Sequence, residues 1–393
     1  MDKNKYIEAA KRSPFYQSLF SNGQQPVWND IPFTTKQQLR EADPYELLGT
    51  SFQNVVTYHE TSGTTGKPSS SWFSYNDIDV EADVLNRSAL AFTENDLILN
   101  RFPFAIALPA FLVYWAAQKA RAGFISADQW NEVAPLPRVL DIMEKTKPTV
   151  LTLGPTELMN LYYVAKKLNK PLPTERLRAI VVAGELVTPA RKQYMEQCWG
   201  VPIYLFYGST ETGGIFVSCE NGHFHLTHPS INVEVVDDKG QPAGENVVGS
   251  CVISTAREGM PLLRYFNEDY IEIKQAQACS CGCSSPILVH YGRKDDLLNI
   301  NGQEKSLYDI HEIVYSLSSV PYIWKLQQRG EDLYFLAQYE EEVNIAAVQQ
   351  ELSVALGKEV RVEQTIIVPT DSLIPNKPAG KFYYIEKLED AHI

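Results

Sequence analysis

The chain has 393 residues, 44% hydrophobic and 21% charged, an ordinary globular balance with length for two to three domains of about 150 residues each. Lys+Arg total 35 against 48 Asp+Glu, a formal net charge of −13. That charge argues against a general nucleic-acid binder and against a polybasic membrane anchor, both of which need basic surface. The longest apolar stretches, such as residues 111–117, fall short of the roughly 18–20 residues that span a bilayer. The opening MDKNKYIEAAKRSPFY has no apolar signal core, so a cytoplasmic location is the expectation.

In chain order, residues 5–20 read as an amphipathic helix that Ser13-Pro14 breaks or restarts. Thr34 or Thr35 is positioned to cap a short helix. VVTYHETSGTTGKPSSSWFSY reads as strand, glycine-rich hairpin loop, strand. A helix is expected over 77–92, a strand over 97–100 and an apolar helix over 107–122. Alternating units follow: helix 137–145, strand TVLTLG, helix 155–168, strand LRAIVVAGE, helix 189–199, and a strand PIYLFYGSTETGG running into a glycine-rich loop. This alternation predicts an α/β fold with a parallel sheet flanked by helices. Ligands of such sheets sit in loops beyond the carboxyl ends of strands. Gly184-Glu185 and Tyr207-Gly208-Ser209-Thr210-Glu211 occupy such places. Short strands and turns are expected over 222–300. From 301 onward, a helix over 307–317, a hairpin, a helix over 345–355 and a strand EVRVEQTIIVP predict a smaller α+β module, its boundary near 293–296.

The sharpest local signal is Thr61-Ser62-Gly63-Thr64-Thr65-Gly66-Lys67-Pro68. Glycines let backbone N–H groups approach phosphate oxygens, hydroxyls add donors and the lysine adds charge. It is not a Walker A loop: the first-glycine position holds Thr61, and Pro68 follows the lysine.

SGTTGKP resembles the phosphate loop of the adenylate-forming superfamily of acyl-CoA synthetases, adenylation domains and luciferases. VVAGE, YGSTE, YGRKDDLLNINGQ and PNKPAGK agree with it in order. SPFYQSLF, DIPFTTKQQLR and the CSCG segment narrow the resemblance to the phenylacetate–CoA ligase branch. The resemblance implies a large N-terminal adenylation domain, 1–294, and a mobile C-terminal domain, 295–393. It implies a two-step reaction. A carboxylate attacks the α-phosphate of ATP to give acyl-AMP, and a thiol then displaces AMP.

The same resemblance assigns roles. Ser62, Gly63, Thr64, Thr65, Gly66 and Lys67 would hold the β- and γ-phosphates. Glu211 would ligate Mg²⁺, as a hard cation prefers a carboxylate, with Thr210 at the α-phosphate and Ser209 among the nucleotide-binding residues. Gly184, Glu185, Tyr207 and Gly208 would frame the adenine. Asp269 and Arg293 would reach the ribose, although Asn267-Glu268 stand where the family has Thr-Gly before that aspartate. Lys381 would bridge the carboxylate and the developing phosphate charge, and Asp295 would be the hinge.

Six cysteines are present: Cys198, Cys219, Cys251, Cys279, Cys281 and Cys283. Cys279-x-Cys281 with Cys219-x5-His225 offers a Cys₃His set suited to structural zinc. The resemblance supports the three cysteines. His223 and His228 are alternatives to His225, Cys283 is either spare or a substitute ligand, and free thiols or a redox pair are the other readings.

Phe104, Ala183, Gly213 and Gly214 are candidate acyl-pocket residues, suited to an aromatic or small apolar acid. The expected activity is an AMP-forming carboxylate–CoA ligase that uses ATP, Mg²⁺ and structural Zn²⁺, as a monomer or homodimer. The alternative is a stand-alone adenylation enzyme that loads a carrier-protein pantetheine thiol, with an amino acid among its possible substrates.

Overall fold

A computed structural model describes residues 3–20, 26–61, 66–130, 133–244, 246–275, 279–367 and 382–388. The chain forms two compact units, Met1–Ser126 with Tyr204–His290, and Ala127–Ile203 with Tyr291–Ile393. Among the described residues no helix is long and apolar enough to cross a membrane.

In the first unit the opening helix Asn4–Ala10 gives way to a 3-10 segment Pro14–Phe20, because Pro14 cannot supply the N–H that would continue the ladder. Thr35 caps Lys36–Glu41 through a capping box with Gln38. Val55–Glu60 and Ser70–Ser74 form the expected antiparallel hairpin around the glycine loop. The expected helix over 77–92 runs instead over Tyr75–Asn86. Ser74 and Asp77 form a second capping box that starts it earlier, and the Ser88 hydroxyl binds the Leu85 carbonyl just beyond its end. The apolar helix is shorter than expected, Pro109–Lys119. Arg121 adopts φ 59° and turns the chain into Gly123–Ser126, an unexpected strand parallel to Leu97–Asn100. A five-stranded sheet closes this unit. It includes Ile231–Val236, Gly249–Thr255 and Leu262–Lys274 in antiparallel succession. Its core is apolar, with Ile215, Ile253, Ile271 and Leu288 buried together.

The second unit begins with βα units. Val150–Leu153 and Ala179–Ala183 pair in parallel. Pro155–Lys167 and Pro189–Trp199 are the intervening helices, each with proline in its first turn. The C-terminal part is a four-stranded sheet. Ile323–Arg329 and Asp332–Gln338 form a hairpin, Val360–Gln364 adds in parallel on one side, and Ile385–Leu388, an unexpected strand, adds in parallel on the other. Leu307–Val314 and Ile345–Leu356 are the helices of this part, and their Ile310, Val314, Val348 and Leu352 share one core with Trp324, Phe335 and Tyr384. Within the same unit Tyr163 stacks on Tyr322 at 4.4 Å, and Lys166 pairs with Glu340 at 2.7 Å.

Candidate active site

The hairpin carrying YGSTETGG is shaped by close backbone approach. Ile203–Ser209 pairs antiparallel with Gly213–Val217, Gly208 facing Gly214 and Ser209 facing Gly213. Gly213 and Gly214 thus begin a strand, where the sequence suggested loop. A Cβ on Gly208 would lie 2.4 Å from the Gly213 carbonyl oxygen, so any larger residue forces the turn open. Thr212 fixes the turn. Its Oγ1 accepts the Ser209 N–H at 3.2 Å, and its own N–H donates to Ser209 Oγ at 3.2 Å.

Between those anchors Thr210 is half-buried and Glu211 is only 3% exposed. Glu211 Oε1 is buried without a hydrogen-bond partner. An unpaired buried carboxylate oxygen is costly, and a divalent cation is the natural partner for one. The residue therefore fits the expected Mg²⁺. The Glu211 main chain is held by Arg257, whose Nη2 donates to its carbonyl at 2.6 Å and to Ser71 Oγ at 3.1 Å. Arg257 is itself 4% exposed, with its guanidinium 4.3 Å over the Phe73 ring.

Two buried acids lie close by. Asp77 accepts the N–H groups of Glu258 and Gly259 at 2.8 and 2.7 Å. Glu81 accepts the Gly214 N–H at 3.1 Å, and a Cβ on Gly213, which has φ +86°, would lie 2.3 Å from Glu81 Oε1. Burial pushes the Glu81 carboxyl up to about 8, against the opposing pull of Arg257. Glu81 is therefore mostly neutral at pH 7.

Asp269 is clamped from three sides. Its Oδ2 accepts the Tyr207 hydroxyl at 2.6 Å and Asn267 Nδ2 at 2.7 Å, and His290 Nε2 stands 3.5 Å from Oδ1. Asn267, which departs from the family's threonine, thus orients the carboxylate expected at the ribose. Glu268, which departs from the family's glycine, has φ 63°, the backbone region that glycine tolerates best. Phe104 sits among the rings of Phe111, Tyr114 and Phe124. At the phosphate loop, Thr61 and Ser69 close the mouth of the hairpin, the Thr61 N–H donating to the Ser69 carbonyl at 3.1 Å. Gly66 and Lys67 are exposed. Ser62, Gly63, Thr64, Thr65 and Lys381 lie outside the described residues.

In the second unit Ala183 ends its strand, and Gly184 follows at φ +93°. Glu185 turns its carboxylate onto the protein: Oε1 accepts the Thr156 N–H at 3.1 Å, and Oε2 accepts Thr156 Oγ1 at 2.7 Å and Arg191 Nη2 at 2.8 Å. Arg293 ends the strand Ile287–Arg293, and Asp295 lies exposed in the single 3-10 turn Lys294–Asp296. The Asp295 carbonyl accepts Lys387 Nζ at 2.9 Å.

The cysteine cluster assembles from separate hairpins. Ligand atoms of Cys219, His225, Cys279 and Cys281 all lie within 4.8 Å of one another. Cys219 and Cys279 sulfurs are 3.9 Å apart, and Cys281 Sγ is 3.3 Å from His225 Nε2. A zinc tetrahedron would set these edges at ~3.8 and ~3.5 Å, so the donors fit a structural zinc. His223 Nδ1 approaches Cys279 at 3.4 Å from outside this set. Cys283 directs its backbone N–H, not its thiol, at Cys281. His228 lies elsewhere and accepts the Ser230 N–H.

Residues 21–260 match the family model of AMP-binding enzymes. The chain belongs to the AMP-binding enzyme family. It is 27% identical over 376 residues to a phenylacetate–coenzyme A ligase of Thermus thermophilus, an alignment covering 91% of this chain and 82% of that protein. It is 25% identical to the Escherichia coli phenylacetate–coenzyme A ligase, over 88% of this chain and 80% of that one. A crystal structure of 2-hydroxyisobutyryl-CoA ligase in its postadenylation state superposes with TM-score 0.84 at 19% identity, covering 98% of this chain and 86% of the other.

Four residues of this AMP-binding enzyme's site escaped the sequence reading: Arg257, Glu81, Thr212 and His290. Thr212 carried a usable signal, being one of three hydroxyls in STET flanked by glycines. The other three are charged or titratable residues whose burial or pairing a sequence does not announce.

Proposed function

We propose that the protein is an ATP-dependent, AMP-forming carboxylate–CoA ligase acting on an aromatic or small apolar acid. The observation that carries this is the buried, unpartnered Glu211 oxygen at a turn pinned by Thr212 and Arg257, within a family that binds AMP. Bringing two anions together needs positioning and charge neutralisation more than proton transfer. An acid carboxylate oxygen attacks the α-phosphorus, and the bond to pyrophosphate breaks. The thiol sulfur of CoA then attacks the acyl carbon, the bond to AMP breaks, and the thiol proton passes to solvent.

In this reading Asp269 holds the ribose, oriented by Tyr207 and Asn267. The Gly184-Glu185 backbone frames the adenine, and Arg293 reaches the ribose. Glu211 would hold Mg²⁺, which neutralises phosphate charge when bound. Ser62, Gly63, Thr64, Thr65, Gly66 and Lys67 hold the outer phosphates, Thr210 touches the inner one, and Lys381 bridges carboxylate and phosphate. Residues 1–294 form the adenylation domain, and 295–393 form a domain that turns about Asp295 between the two half-reactions. Cys219, His225, Cys279 and Cys281 hold a structural zinc. The ring cluster around Phe104 supports an aromatic or small acid, as does the likeness to phenylacetate–CoA ligases; Ala183, Gly213 and Gly214 are the other acyl-pocket candidates. A cytoplasmic monomer or homodimer completes the reading.

The test is acid-dependent exchange of pyrophosphate into ATP across an acid panel that includes phenylacetate, benzoates and amino acids. Product formation is then measured with CoA and with carrier proteins. Exchange with an aryl acid and turnover with CoA are expected. Turnover with a carrier protein alone would favour a carrier-loading enzyme, and no exchange with any acid would reject ligation. Lys381→Ala should abolish exchange yet still convert supplied acyl-AMP to thioester.

A further inference from the structure

The short strand Ile385–Leu388 is entered through a buried tyrosine. Tyr384 is 6% exposed, and its ring packs edge-on against the buried His311 at 4.9 Å. Its hydroxyl joins a closed ring of hydrogen bonds. Arg191, 1% exposed, donates from Nη2 to the Tyr384 oxygen at 2.6 Å and to Glu185 Oε2 at 2.8 Å. Thr156 Oγ1 lies 3.0 Å from the Tyr384 hydroxyl and 2.7 Å from Glu185 Oε2. The carboxylate can only accept, so the Thr156 proton goes to Glu185, and the Tyr384 proton therefore goes to Thr156. Each hydroxyl therefore depends on the other.

The partners give this ring its interest. Glu185 belongs to the loop that frames the adenine in the proposed reading. Tyr384 stands three residues beyond the lysine assigned to adenylation. Lys387, on the strand Ile385–Leu388, donates to the carbonyl of Asp295, the assigned hinge, at 2.9 Å. Residues 384–388 thus reach the assigned hinge directly and the Glu185 loop through Arg191 and Thr156. If residues 295–393 turn between half-reactions, the Arg191–Tyr384 and Thr156–Tyr384 bonds are ones that must break.

We infer that Tyr384 is a positioning residue for the adenylation half-reaction, its hydroxyl latching the lysine-bearing segment to Arg191, Thr156 and the Glu185 loop and letting go for thioester formation. This rests on the ligase reading above. Its signature is a split between the half-reactions, which a merely structural role would not produce.

The test uses the full chain with the best acid of the panel and its synthetic adenylate. Tyr384→Phe keeps the ring and removes the hydroxyl. Acid-dependent exchange should fall about tenfold in kcat, the worth of a hydrogen bond to a charged partner at its lower end. The KM for ATP should stay within about twofold, and thioester formation from supplied adenylate should hold or rise. Thr156→Val, which removes the hydroxyl that receives the Tyr384 proton, should move the ratio of the two rates in the same direction. It carries the test alone if Tyr384→Phe shows no cooperative melting. Lys381→Ala is the reference. If it retains exchange, the underlying lysine assignment fails. If it loses exchange while Tyr384→Phe and Thr156→Val leave both halves native, or lower both by one factor, the latch is overturned.

Discussion

Arg257 grips the main chain of Glu211 and leaves its carboxylate alone: Nη2 donates to the Glu211 carbonyl at 2.6 Å, while Glu211 Oε1 stays buried and unpaired. The guanidinium thereby fixes where the acid stands without competing for the oxygen that a cation would take. Arg257→Lys keeps the charge but loses the long planar guanidinium whose Nη2 reaches Ser71 and Glu211 together. We expect exchange to fall about tenfold or more, with a higher Mg²⁺ concentration needed for half-maximal rate. Glu211→Gln should raise that concentration further. A Mg²⁺ titration of both variants at saturating ATP checks the order.

Glu81 makes stability depend on pH. Burial raises its carboxyl in the folded state to about 8, from the ordinary 4.5. The folded chain therefore binds a proton that the unfolded chain has released between those values. Its contribution is complete below about 4.5 and declines as pH rises toward about 8, with a slope approaching about 1.4 kcal/mol per pH unit. Glu81→Gln keeps an oxygen for the Gly214 N–H and removes the titration. Urea unfolding at several pH values between 5 and 8 should show the parent losing stability relative to this variant; parallel curves would refute the assignment.

Glu268 occupies a left-handed backbone conformation at φ 63°. That conformation costs an L-residue about 1–2 kcal/mol, against about 0.5–1 kcal/mol of extra chain entropy for glycine. Glu268→Gly should be neutral to stabilising, by about 0.5 kcal/mol net. The lost ion pair with Lys36 is half-exposed and subtracts little. Thermal melting compared with Glu268→Ala, which keeps the strain, reads the difference.

The sulfur cluster predicts one zinc per chain. Cys281→Ser should lose the metal and lower the melting temperature by more than about 5 °C, because a ligand bound only by the folded state stabilises it by mass action. Elemental analysis of tag-free protein, with melting in the presence and absence of a chelator, tests both halves. Zinc-free parent protein with unchanged melting would exclude the site.

Much of this was legible where local chemistry decides. Thr35 announced its helix by its cap, and Pro189–Trp199 was bounded by Pro189 and by Gly200, which takes the left-handed position at the helix end. The Cys₃His set could be read because few other donors lie near CSC. What escaped depends on distant partners. Gly213 and Gly214 look like loop residues until Glu81 and Phe206 are seen pressing on them. Ile385–Leu388 is four residues long and gains its meaning only from Ile323–Arg329, far away in the chain. The buried state of Arg257 and Glu81 depends on packing between segments far apart in sequence, which no local pattern encodes.

The two outer strands of the C-terminal sheet are Val360–Gln364 and Ile385–Leu388. They are separated by roughly 14 Å, three inter-strand spacings. Each lies parallel to one arm of the central hairpin, so the final strand is what covers the open side of Ile323–Arg329. Ending the chain before Ile385 would strip that cover and leave a row of unpaired N–H and C=O groups along Ile323–Arg329, a template on which a second copy could add a strand.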